Sequence, residues 1–190
     1  LEPIWATKNE TASRVRQRIS KIFDWAIVKE YRSLYNPAAW TGRLEHALPK
    51  PSDVQNVQHF ESLPYSDIPD FFKFISENDY AKNLTIQFII FTASRSSETR
   101  MALWSEVDFK SATWTIPAHK MKAKKEHKIP LSRQALSILK QMNTYKSKSS
   151  SIIFHGSSKD GSISDTTLRN QIKKYRSDLT IHGFRSSFRV

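Results

Sequence analysis

The run Leu84-Thr85-Ile86-Gln87-Phe88-Ile89-Ile90-Phe91 constrains this chain most. It is apolar almost all the way round, and a helix with no polar face has to be buried on every side. The second half of the chain must therefore build its core around this segment, which delivers the backbone directly to Arg95. Even extended to Ala93, the run is too short to span a bilayer, and no other apolar run is long enough.

A length of 190 residues suffices for one ordinary domain, or for a small domain joined to part of a larger one. Eleven Phe and five Trp supply apolar bulk, and only four Gly and eight Pro argue against low-complexity disorder. There is no cysteine, which excludes disulfides, zinc ribbons and thiol catalysis and fits a reducing compartment. Thirty Lys and Arg against 18 Asp and Glu give a formal charge of +12, which favours a polyanionic partner through counterion release. Nucleic acid is the leading candidate. A basic membrane-surface protein would need an amphipathic basic helix or a lipidation signal, and no targeting signal is legible. Because the chain opens without a Met, inside what reads as ongoing sequence, its true N-terminus is expected to lie outside these residues.

After Glu10-Thr11, the residues Val15, Ile19, Ile22, Phe23, Ala26 and Ile27 recur at helical spacing and mark one apolar face. Arg14, Arg16, Arg18 and Lys21 fall mostly outside that stripe. They form either a solvated face or a surface laid against DNA phosphates. Asn36-Pro37 is expected to end the helical unit. Residues 51–64 have linker composition, so the domains are expected at 1–50 and 65–190, with no internal repeat. Ser66-Asp67 with Pro69 signals a helix start, with Ile68, Phe71, Phe72 and Ile75 inward. A further helix from Ser96 places Glu98 in its first turn.

Val107-Asp108-Phe109, Thr113 to Pro117 and His127 to Leu131 then read as strands. The second and third are joined by a basic stretch containing Lys120, Lys122, Lys124 and Lys125. A helix from Ser132 turns Ala135, Leu136, Leu139 and Met142 inward, and Ile152-Ile153-Phe154 is a short strand candidate. Ser164 caps a helix through Leu168 and Ile172. His182 and Arg185 share a face if a helix starts at Thr180. The fold class expected is mainly α with a small antiparallel β-sheet.

Arg95, Lys122, His182 and Arg185 together make a constellation suited to a phosphodiester. A metal-free transition state needs fixed cations on its non-bridging oxygens, and arginine donates bidentately at permanent charge. A lysine among other cations can protonate a leaving alkoxide, and a histidine beside an arginine can exchange a proton with the attacking group. Each residue alone has a structural reading, as an ion-pair partner, a solvated hairpin lysine or a packed histidine.

Several motifs together resemble the tyrosine recombinases, in particular phage-type integrases of satellite phages and genomic islands. They are Arg95-Ser96-Ser97-Glu98 with Leu103-Trp104 and Val107-Asp108; Trp114 to Pro117 with Met121-Lys122 and His127 to Ser132; and His182-Gly183-Phe184-Arg185. Glu10 to Arg16, Asn36-Pro37-Ala38 and Leu63-Pro64-Tyr65 resemble the core-binding domain and linker of that group. The resemblance implies a catalytic domain of the DNA breaking-rejoining type preceded by part of a helical core-binding domain, clamped around duplex DNA. By that resemblance Arg95 and Arg185 bind the scissile phosphate, Lys122 protonates the leaving 5′-hydroxyl and His182 assists proton transfer. A tyrosine nucleophile forms a 3′-phosphotyrosyl link, with no metal or other cofactor. Arg14, Arg16, Arg18, Lys21, Lys120, Lys124 and Lys125 are the expected DNA contacts. The implied partners are attachment-site DNA, three further protomers in a tetramer, an excisionase and a host DNA-bending protein, and the implied location is the bacterial cytoplasm, at the nucleoid.

The family's tyrosine lies downstream of His-x-x-Arg, whereas Tyr31, Tyr35, Tyr65, Tyr80, Tyr145 and Tyr175 all precede it, so the nucleophile is carried onto none of them. The chain is expected to be a fragment lacking that segment, the arm-binding domain and the first core-binding helices, and not to cleave DNA by itself. Thr92-Ala93-Ser94 replaces the commoner glycine-containing turn. Two other classes compete: a non-catalytic DNA-binding remnant occupying recombination sites, and a metal-dependent nuclease. The nuclease ranks last because the six histidines are scattered without zinc-like spacing.

Overall fold

The computed structural model describes residues 1–33, 35–54, 62–78, 80–121, 123–145 and 151–187, except the side chain at 186. Two compact units divide the chain, Leu1–His59 and Phe60–Val190.

In the first unit, α1 (Glu2–Trp5) leads into the 20-residue α2 (Asn9–Val28). Trp5 is buried, stacks on Trp40 with ring centroids 5.5 Å apart, and donates its indole N–H to the Pro49 carbonyl at 2.8 Å. Asn36 fastens the loop back onto α2: its amide donates towards the Ser20 carbonyl at 3.0 Å and Asp24 at 2.7 Å, while its side-chain oxygen accepts from the Ala38 N–H at 2.9 Å. Periodicity misleads at one place here. Ile22, expected inward, is exposed, as is Trp25, and the residues of α2 that are fully buried are Asn9 and Ala12. A 3.6-residue repeat identifies an apolar face without saying what covers it. The helix also stops at Val28, well before Asn36-Pro37, because Glu30 adopts a left-handed conformation at φ +59°. The segment with linker composition opens with a helical turn, α3 (Pro51–Val54), packed on α2.

The second unit is built around α5 (Ala81–Thr92), in which Leu84, Thr85, Ile86, Phe88, Ile89 and Ile90 are all buried. It packs against α4 (Ile68–Ser76), α6 (Ser96–Arg100), α7 (Arg133–Thr144) and α8 (Asp165–Lys173). Four partner helices explain the missing polar face. In α4, Phe71 and Ile75 are buried, with Ile68 and Phe72 half-buried beside them. Ser132 and Ser164 cap α7 and α8, accepting from the Ala135 N–H at 3.2 Å and the Thr167 N–H at 3.0 Å. Each cap satisfies one backbone donor that the helix start leaves without a partner.

Strands β1 (Val107–Asp108), β2 (Thr113–Ile116) and β3 (His127–Pro130) form an antiparallel sheet in sequence order, with Val107 opposite Trp114 and Trp114 opposite Ile129. Trp114 and Ile116 face the core at alternate positions of β2, as a half-buried strand requires. Residues 152–154 make no strand. Ile152 forms an isolated bridge with Leu103, and the Ile153 N–H donates to the Ala102 carbonyl at 2.9 Å. A last short helix, α9 (Gly183–Ser187), closes over the core through Phe184, whose ring lies 4.8 Å from that of Phe71. No helix among the described residues is long and apolar enough to cross a membrane.

Candidate active site

The core helix α5 ends in a turn that sets the first arginine. Ala93 terminates it in the left-handed region at φ +47°, a conformation that costs a non-glycine residue about 1 kcal/mol or more. Behind the turn three hydroxyls line up out of water. Thr92 donates to the Phe88 carbonyl at 2.7 Å, and Ser94 lies 2.9 Å from Thr92 and 2.5 Å from Thr99. Arg95 then opens α6. Glu98, three residues on, accepts the Arg95 backbone N–H at 2.8 Å through one oxygen and its guanidinium at 2.6 Å through the other. The Arg95 side chain is 43% exposed and that of Glu98 only 5%, so the carboxylate is a buried anchor and the guanidinium reaches outward from it.

The second arginine arrives from the far end of the chain. The Thr180 hydroxyl accepts the Gly183 N–H at 3.0 Å and starts α9, leaving His182 in the turn just before the helix. The helix thus begins three residues later than the spacing suggested. Buried Phe184 fixes the orientation of α9, and Arg185 donates from Nη1 to the Ala93 carbonyl at 2.5 Å. The left-handed turn therefore presents its carbonyl to Arg185 two residues before it launches Arg95.

Arg95, His182 and Arg185 line one cleft together with Ser94, Ser96, Ser97, Arg100, Asp165 and Ile181. Three of the four candidate catalytic residues are thereby gathered from positions about ninety apart in sequence. Lys122 lies outside the described residues. Arg100 and Asp165 were not singled out from the sequence. Arg100 is braced by donation to the Ile163 carbonyl at 2.6 Å, and Asp165 accepts from Ser96 and Arg169, both at 2.8 Å. The one sequence signal at Asp165 is the Ser164 cap before it, which marks a helix start and not a cleft.

The expected DNA contacts are unequally placed. Arg18, Lys21, Lys124 and Lys125 are exposed. Arg14 is also exposed, in an i,i+4 pair with Glu10 at 2.7 Å, of the kind worth well under 1 kcal/mol. Arg16 is turned inward, donating to the Ala38 carbonyl at 2.9 Å with its guanidinium 5.7 Å from the Trp40 ring centroid. Lys120 is engaged as well: its ammonium donates to Glu106 and to the Met101 carbonyl, and the two paired side chains are 19% and 6% exposed. Glu106 also accepts the Trp114 indole N–H at 3.2 Å and the Leu103 N–H at 3.1 Å. Lys120 thus pins the start of the hairpin loop to the segment that leads from α6 into β1. Among the described residues no group of three or more His, Asp or Glu is placed to hold a metal ion.

Residues 61–189 match the family described as the phage integrase family, and residues 1–43 match the phage integrase central domain. The chain belongs to the phage integrase family. That family places it among the relatives of the tyrosine recombinases of phage and prophage type. Over 185 residues this integrase-family chain is 34% identical to prophage integrase IntZ of Escherichia coli strain K12, covering 96% of this chain and 44% of the relative. Over 202 residues it is 28% identical to the integrase of Enterobacteria phage P4, again covering 96% and 44%. The chain therefore spans under half the length of these relatives.

Its fold is shared with a lambda integrase tetramer bound to a Holliday junction (TM-score 0.67, 16% identity, 95% of this chain and 53% of that one). It is also shared with the Tn1549 transposon integrase in complex with circular intermediate DNA (TM-score 0.70, 15% identity, 94% and 64%). At such low identity the likeness carries the fold alone: a mainly helical unit with a small antiparallel sheet, preceded by a helical unit.

Proposed function

We propose that this integrase-family chain supplies most of the DNA clamp and the phosphate-binding half of the active site of a site-specific recombinase. In the full-length protein, that enzyme integrates and excises a mobile element. The observation that carries this reading is the convergence of Arg95, His182 and Arg185 on one cleft. In this reading the first unit is the core-binding domain and the second the catalytic domain. Arg95 and Arg185 hold the non-bridging oxygens of the scissile phosphate, where a pair of fixed guanidiniums is most effective as charge builds up. Lys122 gives a proton to the leaving 5′-hydroxyl, and His182 exchanges one with the attacking group. The attacking group is a tyrosine of the full-length protein that lies outside these 190 residues. It conserves the bond as a 3′-phosphotyrosyl ester, with no cofactor, and the 190-residue piece by itself binds DNA without cutting it.

Arg14, Arg18, Lys21, Lys124 and Lys125 are proposed to contact DNA phosphates, since a weak surface pair such as Arg14–Glu10 yields readily to a phosphate. Arg16 and Lys120 act through the fold, by fixing the α2 loop and the hairpin base. The relatives bound to DNA and assembled as a tetramer support duplex attachment sites and further protomers as partners. An excisionase and a host DNA-bending protein complete the proposed assembly, at the bacterial nucleoid.

Arg185→Ala in the full-length protein should reduce strand cleavage at least about a hundredfold and retain most DNA binding, as removal of a transition-state donor does. The check is a cleavage assay beside a binding isotherm. Affinity lost in proportion to activity would refute the transition-state role.

A further inference from the structure

We propose that Asp165 is a positioning residue that latches the first-arginine turn to α8 and keeps the two halves of the phosphate cleft in register. The inference rests on the cleft being the phosphate site. An acidic residue at the first position of a helix is ordinarily explained by the helix dipole. Here that explanation is incomplete, because both carboxylate oxygens are used away from the helix backbone. One accepts from Ser96 Oγ at 2.8 Å, across 69 residues of sequence, and the other accepts from Arg169 Nη2 at 2.8 Å, one turn along α8. Ser96 is the residue directly after Arg95 and the first of α6. Fixing its hydroxyl fixes the peptide from which the Arg95 side chain departs.

The position of Asp165 in the cleft makes its charge informative. The groove holding Arg95, Arg100 and Arg185 continues into a second groove that holds Arg169 and Lys173, and both are lined by Ser96, Asp165 and His182. Asp165 is at the junction. A carboxylate facing an anion site repels the anion, so this residue lowers affinity for the phosphate backbone. What it supplies in exchange is geometry, since a misplacement on the order of 1 Å in a transition-state donor costs far more rate than binding. Asp165 thus trades DNA affinity for cleavage rate, and a residue that only supports the fold would lower both together.

The test uses full-length protein and a nicked duplex carrying the end sequence of the element that encodes it, with cleavage rate at saturating DNA and Kd measured separately. Asp165→Ala should slow cleavage about tenfold or more while binding becomes no weaker. Asp165→Asn keeps an acceptor for Ser96 and removes the charge, so it should recover most of the rate and bind more tightly than wild type. Ser96→Ala removes only a hydroxyl. It should slow cleavage similarly, and it should add little to Asp165→Ala in a double-mutant cycle. Ser96→Ala carries the same prediction should Asp165→Ala not fold. Rate and affinity falling together, or multiplicative effects of the two alanine variants, would overturn the latch. Arg185→Ala separates the two levels. If it cleaves at the wild-type rate the phosphate-site reading fails, whereas a dead Arg185→Ala beside a wild-type Asp165→Ala overturns the latch alone.

Discussion

The two arginines of the cleft are held in opposite ways. Arg95 is anchored within its own turn: Glu98 sits three residues away, buried, and takes both its backbone N–H and its guanidinium. Arg185 is anchored across the fold, to the Ala93 carbonyl 92 residues back, and its helix is oriented by the burial of Phe184 against Phe71. The first arrangement is made within a single helix start, which Asp165 then fastens to α8 through Ser96. The second exists only once the core of the unit has closed. A local anchor pairs a charge with a charge and so offsets part of the guanidinium's field, whereas a carbonyl leaves the full charge available to a ligand.

The contrast is broken most severely at Phe184. Phe184→Ala empties a fully packed site and should cost about 3–5 kcal/mol, read as a lower urea midpoint with unchanged m-value. If stability fell by less than about 1 kcal/mol, α9 would not depend on the core in the way described. Glu98→Ala tests the local side. It removes a helix-start acceptor and the partner of a half-exposed guanidinium, so a loss of about 1–2 kcal/mol is expected in the same assay. Ala93→Gly sharpens the link between the two arginines, because glycine relieves the left-handed strain and leaves the carbonyl in place. A gain of up to about 1 kcal/mol should follow, with the Arg185 contact retained.

The smallest effect expected is at Asp160. The Ser162 backbone N–H at 3.0 Å, with the Ser162 hydroxyl at 2.8 Å, holds the Asp160 carboxyl below its ordinary value. A depressed carboxyl stabilises the folded state above the unfolded pKa and loses that contribution as pH falls through the folded one. The turn before Ile163, whose carbonyl braces Arg100, should therefore loosen below about pH 4. A falling protection factor for the Ser162 amide on acidification, measured against its intrinsic exchange rate at each pH, would show it, and a flat protection profile would count against it.

Much of this architecture was legible in the sequence because it rests on local rules. The run Leu84 to Phe91 has one solution, a helix buried on all sides. Ser132 and Ser164 announce their helices by cap chemistry, and the three strands follow from their β-branched and aromatic residues. Phosphodiester chemistry and the family resemblance grouped Arg95, Lys122, His182 and Arg185, and three of these four line one cleft. What escaped was what depends on a distant backbone group. Arg16 and Lys120 look like solvated cations until the Ala38 and Met101 carbonyls and Glu106 are set beside them. Nothing in the residues around Asp165 points to Ser96. Ile22 fits the apolar stripe of α2 and is exposed all the same.

The tryptophans divide usefully between the units. Trp5 and Trp40 are stacked in the first, where Trp25 is exposed 5.6 Å from Tyr31, while Trp114 is sealed in the second and hydrogen-bonded to a carboxylate. Each unit therefore carries its own intrinsic chromophores. With Trp114 and Trp104 replaced by Phe, emission would report melting of the first unit alone. Collisional quenching by iodide would reach Trp25 and miss Trp5, so a ligand that covers α2 could be followed by light without attaching a dye.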